Sequence, residues 1–527
     1  MSGMNHRALR TAIGVALLVL AAACTKEPPE RAALPQQAGK PAASSQQADN
    51  PPASVSADTS GGTGDAPTAP PGQQVASAEV LRPWKGDLDG MIQRRVIRVL
   101  TTYSKTGFFV DKGTQRGLVY DSFRVFEDDL NTQLKNKNIR LQVMILPVSH
   151  DDLIPALLEG RGDVVAAGTM ITDPRKEQVD FTNPTITGVS AIVVTGPGAP
   201  PVARVDDLAG KEVYLRESMV TSQGVERFNA ALAGKGLPPV KIRPAPEVLA
   251  DEDILEMVNA GLVGTTIAFD YIAEFWQKVF PKLVLNRGAA VKSDGQIAMM
   301  VRKNSPQLKA ELNAYLARYP EGSLQRNVLL NKYLKSVKYA KEATSKAEAA
   351  KLEATVALFR KYGDKYTLDY LLMIAQAYQE SQLNQEAKSS VGAIGIMQVM
   401  PATGKEQKVG DITQLEPNIH AGVKYIRFMM DQYYKDEPMD RLNKGLFTFA
   451  SYNAGPGRIS QLRKRAAARG LDPNKWFNNV EVLAAESIGR ETVQYVSNIY
   501  KYYLAYQMYT EGQEQRLKAK QGAAGKK

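Results

Sequence analysis

From Val96 to Phe269 the apolar positions follow two interleaved rhythms. Val96-Ile97-Arg98-Val99-Leu100 is a short apolar run of strand length, and Ile139, Leu141, Val143 and Ile145 alternate with other residues as a half-buried strand does. Between such runs, Tyr120 to Leu134 and Asp151 to Glu159 carry helical spacing, and Asp163-Val164-Val165-Ala166-Ala167 reads as a further buried strand. The rhythm resumes after Pro184 through Lys211–Leu215 and Thr266–Phe269. Strands alternating with helices predict a parallel α/β sheet, here in two lobes. From about Lys341 the period becomes helical throughout. Helices are predicted over 346–361, 367–380, 418–434, 440–452 and 485–508, with Thr367 as the N-cap of the second. Order is expected to begin near Leu88, and the last dozen residues read as a frayed basic tail.

The chain has 527 residues, more than one hydrophobic core sustains, so several domains are expected. His6, Arg7 and Arg10 precede TAIGVALLVLAAA, a run too short to span a bilayer but fit for the apolar part of a secretory signal. It ends at Cys24, the one cysteine of the chain, after three alanines. Small residues before a cysteine here resemble a bacterial lipoprotein signal, which implies cleavage and lipidation at Cys24. Thr25 after the cysteine points to the periplasmic face of the outer membrane. Residues 25–80 hold Pro, Ala, Ser, Gln and Gly with no aromatic residue, too little apolar surface to offset the entropy of ordering. Such a tether would wander roughly 40 Å from its anchor. The expected plan is a signal over 1–23, a lipidated tether over 24–84, an α/β domain over 85–340, a helical domain over 341–510 and the tail over 511–527.

The net charge of +11 favours anionic partners, yet the basic residues are scattered and no nucleic-acid signature accompanies them, so nucleic acid is not expected. His150 and His420 have no ligand-like spacing, and neither a metal nor another cofactor is implied.

The stretch DVVAAGTMITDPRKEQVDFTNP, residues 163–184, resembles the bacterial periplasmic amino-acid-binding proteins of the type II solute-binding fold. The likeness extends over roughly 88–320. It implies that Arg175 clamps a ligand carboxylate, that the Gly168 backbone lies close to the ligand, and that Asp270 receives an ammonium group. A guanidinium fork suits a carboxylate because it offers two parallel charged hydrogen bonds. Two departures stand out: Met170 replaces a hydroxyl residue, and Arg216-Glu217-Ser218-Met219 replaces a glycine-rich segment. A peptide is therefore as open as an amino acid for the ligand. Arg175 could instead pair with Asp173 or Asp180, and Asp270 could be ordinary turn chemistry.

In the helical part, Glu380-Ser381 closes a helix, Gly392 to Gln398 with Pro401-Ala402-Thr403 forms a turn-rich segment, Ala450 to Gly457 ends a later helix, and Glu491-Thr492 with Tyr495-Val496 opens the last. Four such blocks in this order resemble the soluble lytic transglycosylase family with its lysozyme-like domain. Fused to a solute-binding domain in a lipoprotein, they resemble the membrane-bound lytic murein transglycosylase F group. The implied substrate is the glycan strand of peptidoglycan. Glu380 would be the acid, with Ser381, Met397, Gln398, Tyr452, Asn453 and Tyr495 lining the sugar cleft.

Most glycosidases pair two carboxylates. Besides Glu380, only Glu491 lies in any of the blocks. One carboxyl suffices if the 2-acetamido group of N-acetylmuramic acid assists at C1 and its 6-hydroxyl replaces water. Glu380 must then be protonated first, which apolar neighbours favour; Ala377, Met397 and Tyr452 are the expected wall. The opposing reading is a receptor without catalysis, whose helical domain only holds peptidoglycan while the α/β domain binds a solute.

Overall fold

The structure, a computed structural model, describes residues 82–111, 114–337 and 346–524. The signal, Cys24 and nearly all of the expected tether lie outside them. In the α/β part, the first sheet has the order Gln142–Pro147, Val96–Thr101, Val164–Val165, Met300–Val301, Asp180–Phe181. Its first three strands are parallel, and Met300–Val301 runs against both of its neighbours. A buried cluster of charge closes this lobe. Asp163 receives the Arg98 guanidinium at 2.9 Å and Arg94 at 2.6 Å, with all of Asp163 and Arg98 out of solvent.

The second lobe departs from the expected parallel sheet. Its main sheet is antiparallel, with Ile186–Thr195 between Thr265–Phe269 and Val284–Ile297. Only the Glu212–Leu215 and Lys241–Pro244 pair is parallel. The reason is the connection between lobes. The chain leaves the first sheet after Phe181 along Ile186–Thr195 and returns along Val284–Ile297 to Met300, so the two crossings lie side by side in opposite directions. Glycines and exposed polar residues interrupt both strands, which is why their apolar period is weak in the sequence.

The helical part contains the expected helices with shifted ends. The helix predicted from 367 is Tyr370–Ser381, and its N-cap is Asp369, whose carboxylate accepts the Leu371 N–H at 3.0 Å; Thr367 instead sits at φ +54°. The stretch predicted as one helix over 485–508 is two, Glu481–Ser487 and Arg490–Ala524, broken at Gly489 with φ +83°. No frayed tail begins at 511, because the final helix continues to Ala524 and Arg516 on it is buried. The segment Ser389–Gly392 is a separate turn closed by the Gly392 N–H on the Ser389 carbonyl at 3.0 Å.

That final helix is the common wall of the molecule. On one side Tyr502 meets Tyr378 edge-on at 4.6 Å, fastening it to the helix that ends in Glu380. On the other, the Lys501 ammonium donates at 2.8 Å to Glu127 of helix Leu118–Gln133 in the first lobe, both side chains being about 5% exposed. Farther along, Arg516 donates at 2.5 Å to Asp253 of helix Asp251–Asn259 in the second lobe and covers the Tyr103 ring at 4.2 Å. One apolar cluster joins Leu100, Met144 and Leu146 of the sheet to Tyr500, Tyr503 and Leu504 of this helix and on to Ile374 and Ala377.

Removing one partner of a buried pair strands the other charge, at a cost of about 3–5 kcal/mol. Lys501→Met is therefore expected to lower the thermal midpoint of the whole chain, and Lys501→Met with Glu127→Leu to recover most of the loss. Burial alone would raise the Glu127 carboxyl, but Lys501 and then Arg124 outweigh it and hold it below its ordinary value of 4.5. Its stabilisation is thus present above that value and is lost as pH falls through the lower folded one. Melts between pH 7 and pH 3 on wild type and the double variant check this: a wild-type excess that does not shrink on acidification contradicts it.

Candidate active site

Leu372 to Tyr378 are all buried, so the Tyr370–Ser381 helix runs through the core and delivers Glu380, half-buried, at its last turn. The helix stops because Gln382 and Leu383 both take left-handed φ, +55° and +60°. Glu380 Oε1 accepts the Tyr495 hydroxyl at 2.5 Å. Tyr495 stands on the first turns of the final helix and is 7% exposed. One turn before Glu380, the Gln376 amide donates to the Tyr495 oxygen at 3.3 Å. Burial, and then the charge of Glu380, push the Tyr495 and Tyr452 phenols far above their usual value, so both stay protonated.

The turn-rich block is held from beneath. Ile394 and Val399 exchange backbone hydrogen bonds at 3.0 and 2.9 Å, making a tight loop beside the end of the helix. Ser381 Oγ lies 2.8 Å from the Ile396 carbonyl. Asn418, fully buried on helix Leu415–Tyr434, accepts the Met397 N–H at 3.0 Å and donates to the Ile394 and Ile412 carbonyls. Gln385 accepts the Ile396 N–H at 3.2 Å and donates to Thr413 at 3.0 Å. Gly395 has φ +79°, and a Cβ there would stand 2.3 Å from the Asn418 amide nitrogen, so only glycine fits.

The expected site residues divide into two groups. Glu380 and Tyr495 touch, and Tyr452 lies near enough for Glu380 to raise its phenol. Ser381, Met397, Gln398 and Asn453 are occupied in holding backbone. Met397 is fully buried against Gly422, and its carbonyl accepts the Tyr452 hydroxyl at 3.0 Å. Gln398 Nε2 donates back to the Gly395 carbonyl at 2.9 Å. Asn453 Oδ1 accepts the Thr492 hydroxyl at 2.6 Å, tying two blocks together. Gln376, Gln385, Asn418 and Thr492 were not expected. The signal for Gln376 and Asn418 was a polar residue inside an apolar helical stripe, a position that must be hydrogen-bonded.

In the α/β part a cavity of about 280 Å³ is lined by Gly168, Met170, Arg175, Arg216, Asp251 and Tyr271 among others. Neither this cavity nor one of about 340 Å³ beside Tyr503 includes Glu380. Arg175 pairs with neither Asp173 nor Asp180. It donates to the Met170 carbonyl at 3.0 Å and to Ser218 of the second lobe at 3.4 Å, and burial lowers its pKa to about 10. Arg216 is buried and bonded to Asp251. His150, also at the wall, is pushed down to about 3 by burial and then by Arg216, so it is neutral. Asp270 is not at the cavity. Its two oxygens accept the Ser190 N–H at 3.1 Å and the Tyr271 N–H at 2.8 Å.

Residues 357–475 match the transglycosylase SLT domain, and residues 96–336 match the bacterial extracellular solute-binding proteins, family 3. A relative from Desulfosudis oleivorans is 27% identical over 78% of this chain and 90% of its own length; one from Pseudomonas fluorescens is 26% identical over 77% and 84%. A third, from Actinobacillus succinogenes, is 25% identical over 80% and 87%. All three bear the name membrane-bound lytic murein transglycosylase F. The chain belongs to this group. Among solved structures, a mutant of the T. maritima protein ArgBP is 22% identical, covering 47% of this chain and 99% of its own, with a TM-score of 0.40. The SLT match contains the Glu380, Gln398 and Asn453 blocks, and Tyr495 lies just beyond it. The family 3 match contains Gly168, Arg175 and Asp270.

Proposed function

We propose that the protein cleaves the β-1,4 bond between N-acetylmuramic acid and N-acetylglucosamine in peptidoglycan without water, leaving 1,6-anhydro ends. The observation that supports this most is the pairing of Glu380 with the Tyr495 hydroxyl at 2.5 Å where four sequence blocks meet. Glu491, the other acid in those blocks, is exposed at the start of the final helix. The Glu380 carboxyl gives its proton to the glycosidic oxygen as the C1–O bond breaks, and the acetamido oxygen of the same sugar supports C1. The carboxylate then takes the proton of the 6-hydroxyl as O6 bonds to C1. One group thus serves first as acid and then as base. On purified sacculi, wild type is expected to release 1,6-anhydromuropeptides and Glu380→Gln to lose at least 10²-fold in rate, the size of a general-acid contribution. Reducing ends in place of anhydro ends would mean that water attacks instead.

The α/β cleft is proposed to take a carboxylate-bearing ligand whose nitrogen carries no charge, such as an acylated amino acid or the C-terminal part of a peptide. Arg175 is a buried cation with no carboxylate partner among the described residues, and Asp270, the expected ammonium receiver, is occupied by backbone donors. Apolar walls such as Met170, Phe269 and Ile297 suit an aliphatic body. N-acetyl-leucine is expected to raise the melting temperature of wild type more than leucine does, and Arg175→Ala to abolish the rise. A larger shift with free leucine contradicts the uncharged nitrogen.

The relatives are named membrane-bound, and no helix among the described residues is long and apolar enough to cross a membrane. Attachment to the periplasmic face of the outer membrane through lipidated Cys24 is proposed from the sequence. Labelled palmitate is expected in wild type and not in Cys24→Ala; equal labelling would exclude this anchor.

A further inference from the structure

The proposed chemistry needs one carboxyl in two protonation states, and the group it touches has a single proton to offer. We propose that Gln376 is a positioning residue that serves both states by exchanging the donor and acceptor ends of its amide toward Tyr495. This rests on reading Glu380 as acid and then base.

Gln376 is fully buried in the apolar face Leu372 to Tyr378. A buried amide is costly unless its groups are paired. Here the pairing is half complete: Nε2 donates to the Tyr495 oxygen at 3.3 Å, while Oε1 meets no partner among the described residues. As drawn, the proton order is Gln376 N–H to Tyr495 oxygen, then Tyr495 O–H to Glu380 Oε1. That order fits the carboxylate. It does not fit the acid, whose O–H toward Tyr495 would meet another O–H pointing back.

With Glu380 protonated, the carboxyl donates to the Tyr495 oxygen and the phenol proton must turn elsewhere. A half-turn of the Gln376 amide about its last bond puts Oε1 where Nε2 stood, with no heavy atom displaced, and that oxygen accepts the phenol. An amide is the neutral side chain that offers both a donor and an acceptor at nearly the same place. The phenol proton stays on Tyr495 in both arrangements, consistent with burial keeping it protonated. The one proton that leaves is the carboxyl's, to the glycosidic oxygen, and it is replaced by that of the 6-hydroxyl. The vacant Oε1 is then the partner kept for the acid state.

Gln376→Met keeps the length of the side chain and removes both ends. The carboxylate retains its bond from Tyr495, while the acid form leaves the phenol proton unpaired in a buried place, so the balance moves toward the carboxylate. In the pH profile of kcat/KM on sacculi, the alkaline limb reports loss of the acid form. Gln376→Met is expected to move it down by about one pH unit, the worth of roughly one hydrogen bond. At neutral pH the rate falls about tenfold, while the melting temperature holds within a few degrees. In a Tyr495→Phe background the same substitution should move the limb no further, because the group it acts through is gone. Gln376→Leu repeats the measurement if the methionine variant melts early. A limb that stays in place in these variants overturns the proposal, as does an equal shift with and without Tyr495. If Glu380→Gln still forms anhydro ends, the reading of Glu380 fails instead, and the two failures are distinguishable.

Discussion

The final helix, Arg490–Ala524, carries contacts on which the other parts depend. Near its start Tyr495 reaches the Glu380 carboxylate, at mid-length Lys501 is buried against Glu127 of the first lobe, and near its end Arg516 reaches Asp253 of the second. At about 1.5 Å per residue the span from Tyr495 to Arg516 is roughly 30 Å. A straight helix transmits displacement along that length as a rigid body. Both ion pairs exclude water, so each fixes direction and register as well as contributing energy, since a slip of one residue would leave charges buried and alone. The catalytic tyrosine is therefore located by the same element that the solute-binding lobes grip.

The site itself is built largely from backbone, and buried amides hold that backbone in place. Asn418 and Gln385 fill the donors and acceptors of the loop that carries Ile396 and Met397, while Ser381 joins the same loop to the helix bearing Glu380. Loops beside a cleft lack the regular bonding of helix and sheet, and buried polar groups left unpaired are expensive. Side-chain amides solve this because each supplies a donor and an acceptor. Residues that seemed destined for sugar contact, such as Gln398 and Asn453, are occupied in the same way. Gln376 extends the device to the reacting carboxyl.

The α/β part shows one inherited feature and one altered feature. Arg175 lies in the cleft with only carbonyl partners, a cation awaiting an anion. Asp270 is turned to the hinge strand, where it caps Ser190 and its own helix start. In the segment that departs from the glycine-rich pattern, Arg216 brings a second guanidinium to the wall, but Asp251 neutralises it. The net polarity of the cleft favours a ligand with an unmatched carboxylate.

Much of this was legible in the chain. The period of the apolar residues marked the change from alternating strands and helices to helices alone, because burial on one face imposes that period locally. The four blocks around Glu380 marked the reaction, since an acid without a second carboxylate limits the chemistry available. Tertiary structure decided the rest. The antiparallel second sheet follows from two crossings of the hinge, Ile186–Thr195 and Val284–Ile297, that are nearly a hundred residues apart in the chain and carry little apolar period. The basic C-terminal stretch reads as a solvated tail until Asp253 is placed beside Arg516. Gln376, Asn418 and Asp270 have roles set by which hydrogen-bonding groups lie within about 3 Å, and no local pattern records that. Periodicity is a property of neighbours in sequence; the pairing of a buried polar group is a property of neighbours in space.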